Sequence, residues 1–399
     1  MNIKLKTLSL AVALTLSTSA LALDEITIWE GENKESSIYK AANDFGKEFN
    51  CKVNIKTYDE ANQLNKVEEL LDKGAKDEVP DIFIMISDRL GQALSKDVIA
   101  KNRTMSSDKN LYIKSSVDAF SFDGNIYAVP RSIESLVVYY NKDILEYPFE
   151  ELSAYEEFGN KIKSKGIYSL VGKYDQIFIG YGFLSAYGGY IFGQDRFGNY
   201  NVKDVGVNKN GAASGLKELV DLAKTMPKEL YTPEGWGLVD EYFKTGKAAA
   251  VINGPWALQG YANSGINYGV APLPKLSNGK YIHPFYGIKG YVISNQSKQK
   301  DLAEKFLQYL NQSRYVLIRY NTTAEVPPIL SVLENPLIVN DDFASAVSSQ
   351  VENADPMPYA PEMQYVWDPT SKAISESILD NKDPKQALDE AEDSILSSY

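Results

Sequence analysis

Histidine and cysteine are almost absent from this chain of 399 residues, which contains one of each, His283 and Cys51. A single histidine excludes zinc sites of the His-Glu-x-x-His type and any metal centre that needs several histidines. It also leaves one candidate for a serine–histidine relay, and no Gly-x-Ser-x-Gly motif accompanies it. A single cysteine excludes an internal disulfide, so the fold must be stabilised by its core. Phosphate-binding and dinucleotide-binding glycine motifs are missing as well.

Long apolar runs are confined to the N-terminus. Lys4 and Lys6 precede an apolar stretch at 8–16, and Ala20-Leu21-Ala22 has the small residues of a secretory cleavage site. We therefore predict a signal peptide over residues 1–22 that is cleaved near Ala22, and an exported mature chain. No later window has the roughly 18 apolar residues that a membrane-spanning helix needs. The cleavage site contains no cysteine, so the sequence gives no indication of a lipid anchor there.

Basic residues are outnumbered by acidic ones, 41 to 53, which gives the chain a net charge of −12. Loss of the two lysines of the signal peptide makes the mature chain still more acidic. Nucleic acids and anionic lipids attract clustered lysine and arginine, so we expect neither as a partner. Hydrophobic residues make up 44% of the sequence, and a mature chain of about 375 residues is long enough for two sizeable domains.

The first hundred residues alternate between strand-like and helix-like patterns. Residues 26–29 and 53–56 alternate like strands, and 81–86 is a nearly unbroken apolar run of the kind found in central parallel strands. Helical apolar spacing separates these three segments. The order predicts a parallel sheet with right-handed crossovers, with ligand groups after Trp29 and after Met85.

Further along, residues 126–130 and 136–140 predict two strands on either side of the segment 131–135. Helices are predicted around 212–223 and 302–310, and two more helical patterns follow near the C-terminus. No repeat, low-complexity tract or long linker divides the chain. The two domains must therefore be interleaved along the sequence.

Trp256 follows an apolar run, 248–252, that is stopped by Asn253-Gly254-Pro255. The run predicts a buried strand, and its end places the tryptophan where ligand crevices lie in open α/β sheets. A flat apolar ring at the lip of a crevice suits the face of a sugar, and Trp367 follows a comparable turn. The alternative is that Trp256 is a core residue beneath a loop.

Paired carboxylates are the one remaining enzymatic option, because glycoside hydrolysis needs only an acid and a base or nucleophile. With 53 acidic residues, pairs are inevitable, and no pair is singled out by the sequence. A carbohydrate-active hydrolase therefore stays open as an alternative, as does an exported structural or adhesive protein.

Several motifs occur in a characteristic order along the mature chain. They are Ile28-Trp29, Pro80-Asp81-Ile82-Phe83, Ser87-Asp88-Arg89-Leu90-Gly91, Glu134, Tyr140-Asn141-Lys142-Asp143, Gly188-Gly189-Tyr190, Lys203-Asp204-Val205-Gly206-Val207 and Ile252-Asn253-Gly254-Pro255-Trp256. From about residue 26 to the C-terminal helices, the chain resembles the maltose- and maltodextrin-binding receptors of bacterial ABC importers. The resemblance implies an α/β, two-lobed periplasmic solute-binding protein fold, in which each lobe is a sheet flanked by helices and the ligand cleft lies between the lobes.

The resemblance also implies a function and a domain division. A member of this family is a periplasmic, monomeric receptor, not an enzyme, that closes on malto-oligosaccharides without a cofactor or metal and delivers them to the membrane subunits of the importer. We expect one lobe to comprise residues 23–132 and 288–336 and the other 133–287 and 337–399. A receptor of the same fold for a different oligosaccharide, or for a polyamine or metal chelate, stays open.

Eleven positions match ligand-binding positions of that family. They are Asn33, Lys34, Met85, Asp88, Arg89, Glu134, Gln176, Phe178, Trp236, Trp256 and Trp367. Six residues depart from the family's usual choice: Asn33 replaces an aspartate, Met85 a tryptophan, Gln176 a glutamate, Phe178 a tyrosine and Ser371 an arginine, and Trp236 lies where the family often has a tyrosine. These departures leave the linkage and length of the sugar open.

Each of these positions also has a purely structural explanation. Asp88 and Arg89 would form an ion pair at a helix start, and Lys34 would be a solvated loop residue. Met85 and Phe178 would belong to the core, where apolar side chains usually lie.

Overall fold

The structure is a computed structural model that describes residues 23–195 and 199–399. The predicted signal peptide, residues 1–22, lies outside the described residues. Within them, no helix has both the length and the apolar character needed to cross a membrane.

The strands are numbered in the order in which they follow one another along the chain. They are β1 (Asp24–Gly31), β2 (Cys51–Tyr58), β3 (Ile82–Ile86), β4 (Ser121–Phe122), β5 (Asn125–Ile126), β6 (Ala128–Ser135), β7 (Val137–Asn141), β8 (Tyr168–Val171), β9 (Phe192–Gln194), β10 (Tyr200–Val205), β11 (Ala248–Asn253), β12 (Tyr268–Ala271), β13 (Phe285–Ile293) and β14 (Asp355–Pro356).

The α-helices alternate with these strands and dominate the C-terminal third. They are α1 (Ser36–Phe49), α2 (Gln63–Asp72), α3 (Leu90–Ser95), α4 (Met105–Asp108), α5 (Lys114–Asp118), α6 (Leu152–Ile162), α7 (Ile177–Ala186), α8 (Ala212–Ala223), α9 (Gly235–Lys244), α10 (Leu258–Ser264), α11 (Lys300–Leu310), α12 (Ser313–Thr323), α13 (Leu330–Leu333), α14 (Pro336–Val339), α15 (Asp342–Val351), α16 (Trp367–Leu379) and α17 (Pro384–Leu396).

One sheet is built from both ends of the chain. Its strand order is β14-β13-β3-β1-β2, with β6 also paired to β13. Strand β1 is parallel to β2 and to β3, which confirms the parallel sheet predicted from the alternating pattern. Strand β13 runs antiparallel to β3 and β6. Helices α1, α11 and α12 pack together beside this sheet; we call this unit the N-terminal lobe.

A second sheet has the strand order β12-β7-β11-β8. Its strand β11 is completely buried, because β7 and β8 hydrogen-bond to its two edges and its small apolar side chains fit under covering helices. This confirms the buried strand predicted from the apolar run before Trp256. Helices α6, α9 and α15 contact strands of this sheet, and helices α7, α8, α16 and α17 pack against one another; we call this unit the C-terminal lobe.

The segment 131–135 differs from the sequence-based expectation, which put strands only on either side of it. Strand β6 runs without a break from Ala128 to Ser135 and is buried along its whole length. It pairs with β13 between Tyr286 and Val292. The charged residues in the segment do not end the strand, because buried partners of opposite charge meet them.

The chain passes between the lobes at the ends of two long strands. Only Leu136 separates β6 of the first sheet from β7 of the second. Strand β13 follows β12 of the second sheet and begins at Phe285, so the predicted boundary between 287 and 288 falls inside a strand. The lobe boundaries themselves stay a prediction. The short strand β14 pairs with the start of β13 and brings the C-terminal third of the chain back to the junction.

Candidate ligand-binding cleft

A cleft of about 460 Å³ lies between the two lobes. Both sheets contribute to it at the ends of their strands, as expected for α/β folds. Its lining residues are Asp59, Glu60, Ala61, Ile86, Asp88, Glu134, Phe178, Trp236, Trp256, Gly287, Lys289, Met357 and Trp367.

The two walls of the cleft differ in chemistry. The N-terminal lobe supplies carboxylates and one ammonium group, from the turn after β2, the end of β3, and strands β6 and β13. The C-terminal lobe supplies four aromatic rings, from α7, α9, the turn after β11 and the first residue of α16. A ligand held between them meets hydrogen-bonding groups on one side and apolar ring faces on the other.

Trp256 stands at the lip of the aromatic wall, in the turn Pro255–Ala257 that follows β11. Its side chain is 46% exposed, which is far from the core position that the structural alternative required. The indole folds back over Gly254, where a Cβ atom would lie 2.2 Å from its ring. Only a glycine at position 254 leaves enough room for the Trp256 ring in this orientation.

The other aromatic residues are held by ring contacts. The centroid of Phe178 lies 5.8 Å from that of Trp256 and 6.4 Å from that of Phe285. The Phe285 ring in turn lies 6.0 Å from that of Trp367 and is stacked on Tyr181 at 3.7 Å. Such offset and edge contacts fix ring orientation. Phe178, Trp256 and Trp367 are therefore arranged before any ligand arrives, whereas Trp236, the fourth ring of the wall, is 38% exposed.

Asp88 brings a carboxylate with one unpaired oxygen to the opposite wall. It follows β3 in the short turn Ser87–Arg89, and its Oδ1 atom is buried without a hydrogen-bond partner. Burial raises the pKa of Asp88 to about 6, although the neighbouring Arg89 acts in the opposite direction. A buried acceptor without a donor is costly, so this oxygen is suited to a hydroxyl donor from a ligand.

Lys289 is surrounded by carboxylates at the floor of the cleft. Its Nζ atom lies 2.5 Å from Glu60 Oε2, 2.6 Å from Glu134 Oε1 and 3.4 Å from Glu325 Oε1. Burial raises the pKa of Glu60, but Lys289, Arg131 and Lys34 outweigh it and hold that pKa well below its usual range. Glu60 is therefore an ionised hydrogen-bond acceptor at neutral pH.

Arg131 extends this cluster into the core of the N-terminal lobe. Its guanidinium is fully buried and lies 2.9 Å from Glu30, 2.8 Å from Glu60 and 2.9 Å from Glu325. Tyr291 accepts a further hydrogen bond from its Nε atom at 3.0 Å. Strands β1, β6 and β13 and the turn after β2 are thus joined by one network of buried charges.

Six of the eleven predicted ligand positions line the cleft together. They are Asp88, Glu134, Phe178, Trp236, Trp256 and Trp367. Asp88 and Arg89 do not form an ion pair in the part of the chain that the structure describes; the Arg89 guanidinium instead donates to Asn65 at 2.5 Å.

The other predicted positions lie outside the cleft lining. Asn33 occupies an exposed turn with a φ of 63°. The Lys34 ammonium is bound by Glu60 at 2.9 Å and Glu325 at 2.6 Å. Met85 is 1% exposed in the core of the N-terminal lobe, and its neighbour Ile86 faces the cleft, since adjacent residues of a strand point to opposite sides.

Gln176 also falls outside the lining and precedes helix α7. Its side-chain amide donates to Asp175 at 3.2 Å. Ser371, where the resemblance leads us to expect an arginine, accepts a hydrogen bond from the backbone N–H of Ile177 at 3.1 Å. The Ser371 hydroxyl therefore caps the start of helix α7.

Several lining residues were not predicted from the sequence. They are Asp59, Glu60, Ala61, Ile86, Gly287, Lys289 and Met357. The prediction placed ligand groups at the strand ends after β1 and β3, and the same rule after β2 finds the turn at 59–61. A lysine inside the otherwise apolar strand β13 was the other available signal, since buried lysines are nearly always paired.

No group of three or more histidine, cysteine, aspartate or glutamate side chains is arranged to hold a metal ion within residues 23–195 and 199–399. His283 lies outside the cleft lining and contacts Asp355, with Nε2 and Oδ1 3.1 Å apart.

Comparison with known proteins gives the same architecture. The family model for bacterial extracellular solute-binding proteins matches residues 40–346. The galactooligosaccharide-binding protein of Bacillus subtilis is 33% identical over 92% of this chain and 87% of its own length. The maltooligosaccharide ABC transporter solute-binding lipoprotein of Streptococcus pneumoniae strain R6 is 30% identical over 92% and 87%. The maltose complex of the maltose-binding periplasmic protein from Listeria monocytogenes superposes with a TM-score of 0.83 at 30% identity, covering 94% of this chain and 97% of that one.

Proposed function

Since this chain belongs to the bacterial extracellular solute-binding proteins, we propose that it is the sugar receptor of an ABC importer and that it binds malto-oligosaccharides by closure of its two lobes. It acts outside the cytoplasmic membrane, as members of this family do. The periplasm as its compartment and the cleavage of a leader near Ala22 are part of the proposal.

One observation carries the proposal: an aromatic wall with three tryptophans faces a wall of carboxylates across one interlobe cleft. Sugar rings have an apolar face and a rim of hydroxyls. Indole rings cover the apolar face, and ionised carboxylates accept the hydroxyl hydrogens through strong charge-assisted bonds. Contacts from both lobes in the closed state shift the population toward that state, which presents the sugar to the membrane subunits of the importer.

A second ligand class is supported by a specific comparison. The Bacillus relative is named for galactooligosaccharides, while the Streptococcus relative is named for maltooligosaccharides. The two classes share ring shape and hydroxyl number but differ in hydroxyl orientation and linkage. We expect the carboxylates to distinguish the two classes, because hydrogen bonds to fixed acceptors depend on the orientation of the hydroxyl groups.

The first test is a thermal-shift panel of maltose, maltotriose, maltotetraose, isomaltotriose and β-1,4-galactobiose. A ligand that binds only the folded state stabilises it by about 2.7 kcal/mol at a concentration of 100 times Kd. We expect the α-1,4-linked oligosaccharides to raise the midpoint most and to be recovered unaltered after incubation. No shift with any of the five would contradict a sugar receptor, and release of shorter sugars would favour the hydrolase alternative.

The second test removes one ring from the aromatic wall. Trp256→Ala should raise Kd for maltotriose roughly ten- to a hundredfold, because burial of a large apolar side chain is worth about 1.5–3 kcal/mol. The ring is largely exposed, so the unfolding midpoint should change little. Titration calorimetry measures the loss, and Tyr147→Ala is the matched control, since Tyr147 is 70% exposed and lies outside the cleft lining. Equal affinity of the two variants would place the sugar elsewhere.

A further inference from the structure

Lys289 is the only cation among the described residues that line the cleft. Its side chain is 7% exposed and meets three carboxylates within 3.4 Å. A buried ammonium of this kind is often a structural ion-pair partner. In this cleft, however, two of its partners, Glu60 and Glu134, themselves belong to the lining.

The register of the sheet places Lys289 and Glu134 on one face. Gly287 in β13 is directly opposite Glu134 in β6, and Lys289 is two residues further along β13. Side chains two residues apart on a strand point to the same side, so Lys289 is a diagonal neighbour of Glu134. Since Gly287 has no side chain, the Met357 side chain of the cleft lining can approach here, 2.5 Å from where a Cβ atom would lie.

The Glu134 carboxylate has fewer cationic partners than the Glu60 carboxylate. Glu60 has ion pairs with Lys34, Arg131 and Lys289, whereas Glu134 pairs only with Lys289 among the described residues. Glu134 Oε1 lies 2.6 Å from the ammonium, yet it is buried without a partner of hydrogen-bond geometry. This oxygen is therefore free to accept a hydrogen bond from a group in the cleft.

We infer that Lys289 is a positioning residue for saccharide recognition, whose ammonium holds the Glu60 and Glu134 carboxylates side by side in the cleft wall, where they accept hydroxyl hydrogen bonds. This inference rests on the proposed sugar-binding function. Lys289 contributes to the recognition of the sugar hydroxyls through Glu60 and Glu134, and its ammonium does not itself need to contact the sugar.

The electrostatic reason is the surplus of acid around Lys289. Glu325 and Glu30 lie behind the two cleft carboxylates, and the fully buried Arg131 pairs with both of them. Burial raises the pKa of Glu325, but Arg131, Lys289 and Lys34 lower it to about 2. Without the lysine, neighbouring carboxylates would repel each other, and Glu60 would lose the largest of the charges that lower its pKa, so that it would take up a proton at a higher pH. A protonated acid offers a donor where the ionised acid offered only acceptors.

The test compares Lys289→Met, which keeps the length and removes the charge, with Lys289→Arg, which restores the charge. The readout is the Kd for maltotriose, or for β-1,4-galactobiose if only that sugar stabilises the wild type, measured by calorimetry at pH 5, 6, 7 and 8. We expect Lys289→Met to raise Kd about tenfold or more at pH 7, since hydrogen bonds to charged groups are worth about 1.5–3 kcal/mol. The ratio of its Kd to that of the wild type should grow as the pH falls.

Two further variants separate positioning from folding. Lys217→Met removes an exposed ammonium that pairs with Asp221 on α8 and should leave Kd unchanged at every pH. Lys289→Arg should bind nearly as tightly as the wild type. If Lys289→Met does not fold, Glu134→Gln is tested in its place. This variant removes the carboxylate that Lys289 positions and leaves the Lys289–Glu60 ion pair intact. Its Kd for the sugar should rise at pH 7.

The outcomes are distinct. A Kd ratio of one, a ratio that is constant with pH, or an arginine variant as weak as the methionine variant would overturn the role of Lys289, as would wild-type affinity in Glu134→Gln. A wild-type protein that binds none of the five sugars would instead contradict the proposed function.

Discussion

At the residue scale, Asp88 is the cleft group whose charge changes near physiological pH. Burial raises its pKa to about 6, and ligand hydroxyls that donate to its carboxylate favour the ionised form. The complex then binds fewer protons than the free protein, so affinity increases with pH until Asp88 is fully ionised. We expect the Kd for maltotriose to be lowest above pH 7 and to rise severalfold between pH 7 and pH 5, as measured by calorimetry.

Asp88→Asn should remove this component of the pH profile, because an amide does not titrate in that range. Asp77→Asn is the control, since the Asp77 side chain is 97% exposed. A wild-type profile that is flat from pH 5 to pH 7, or one that Asp88→Asn leaves unchanged, would show that this carboxylate does not bind the sugar.

Single residues also show where sequence reasoning reached the site. Trp256 and Asp88 directly follow strands, and local sequence predicts a strand end well. Met85 is one residue away from the cleft-facing Ile86, and in a strand one residue is the difference between the two faces. The Lys34 ammonium is taken up by Glu325, almost three hundred positions away in sequence, and no local pattern predicts that pairing.

At the scale of secondary-structure elements, Arg131 joins strands β1, β6 and β13 through its carboxylate partners. Arg131→Met would leave Glu30, Glu60 and Glu325 buried without their shared cation. We expect the free energy of unfolding to fall by about 3–5 kcal/mol, the usual cost of removing one partner from a buried ion pair. Denaturant unfolding followed by circular dichroism measures this loss.

The matched control for Arg131 is Lys114→Met in helix α5. Lys114 pairs with Asp118 at the surface, with side-chain exposures of 87% and 55%, and such pairs contribute about 0–1 kcal/mol. Equal stability of the two variants would mean that the buried network adds nothing to the fold.

Elements also differed in how well they were predicted. The helices 36–49 and 212–223 and the strand 248–253 follow from apolar periodicity. The continuous strand β6 does not follow from periodicity, because charged residues such as Arg131 and Glu134 are typical of loops and the sequence does not show their buried partners. Secondary-structure propensities assume that a charged side chain is solvated, whereas in the folded protein other strands provide side chains of opposite charge.

At the scale of the whole molecule, the two walls of the cleft belong to different lobes that are joined at the ends of β6 and β13. A sugar that contacts both walls should therefore stabilise the closed arrangement. We expect small-angle X-ray scattering to give a smaller radius of gyration with saturating maltotriose than without it.

The double variant Trp256→Ala, Trp367→Ala should show no such change at the same sugar concentration, because it lacks two rings of the aromatic wall. Superimposable scattering curves of the wild type with and without bound sugar would exclude closure as the binding mechanism, even if calorimetry detects binding.

The sequence by itself determined the class of protein: the near absence of histidine and cysteine, the alternating strand and helix patterns, and the ordered motifs are all local features. The tertiary structure alone decided the site's electrostatics. Glu60, Glu134 and Lys289 come from three distant segments, and their charges meet only because β13 lies between β3 and β6. Apolar periodicity is written along the chain, but the energy of a buried charge depends on neighbours that folding brings to it.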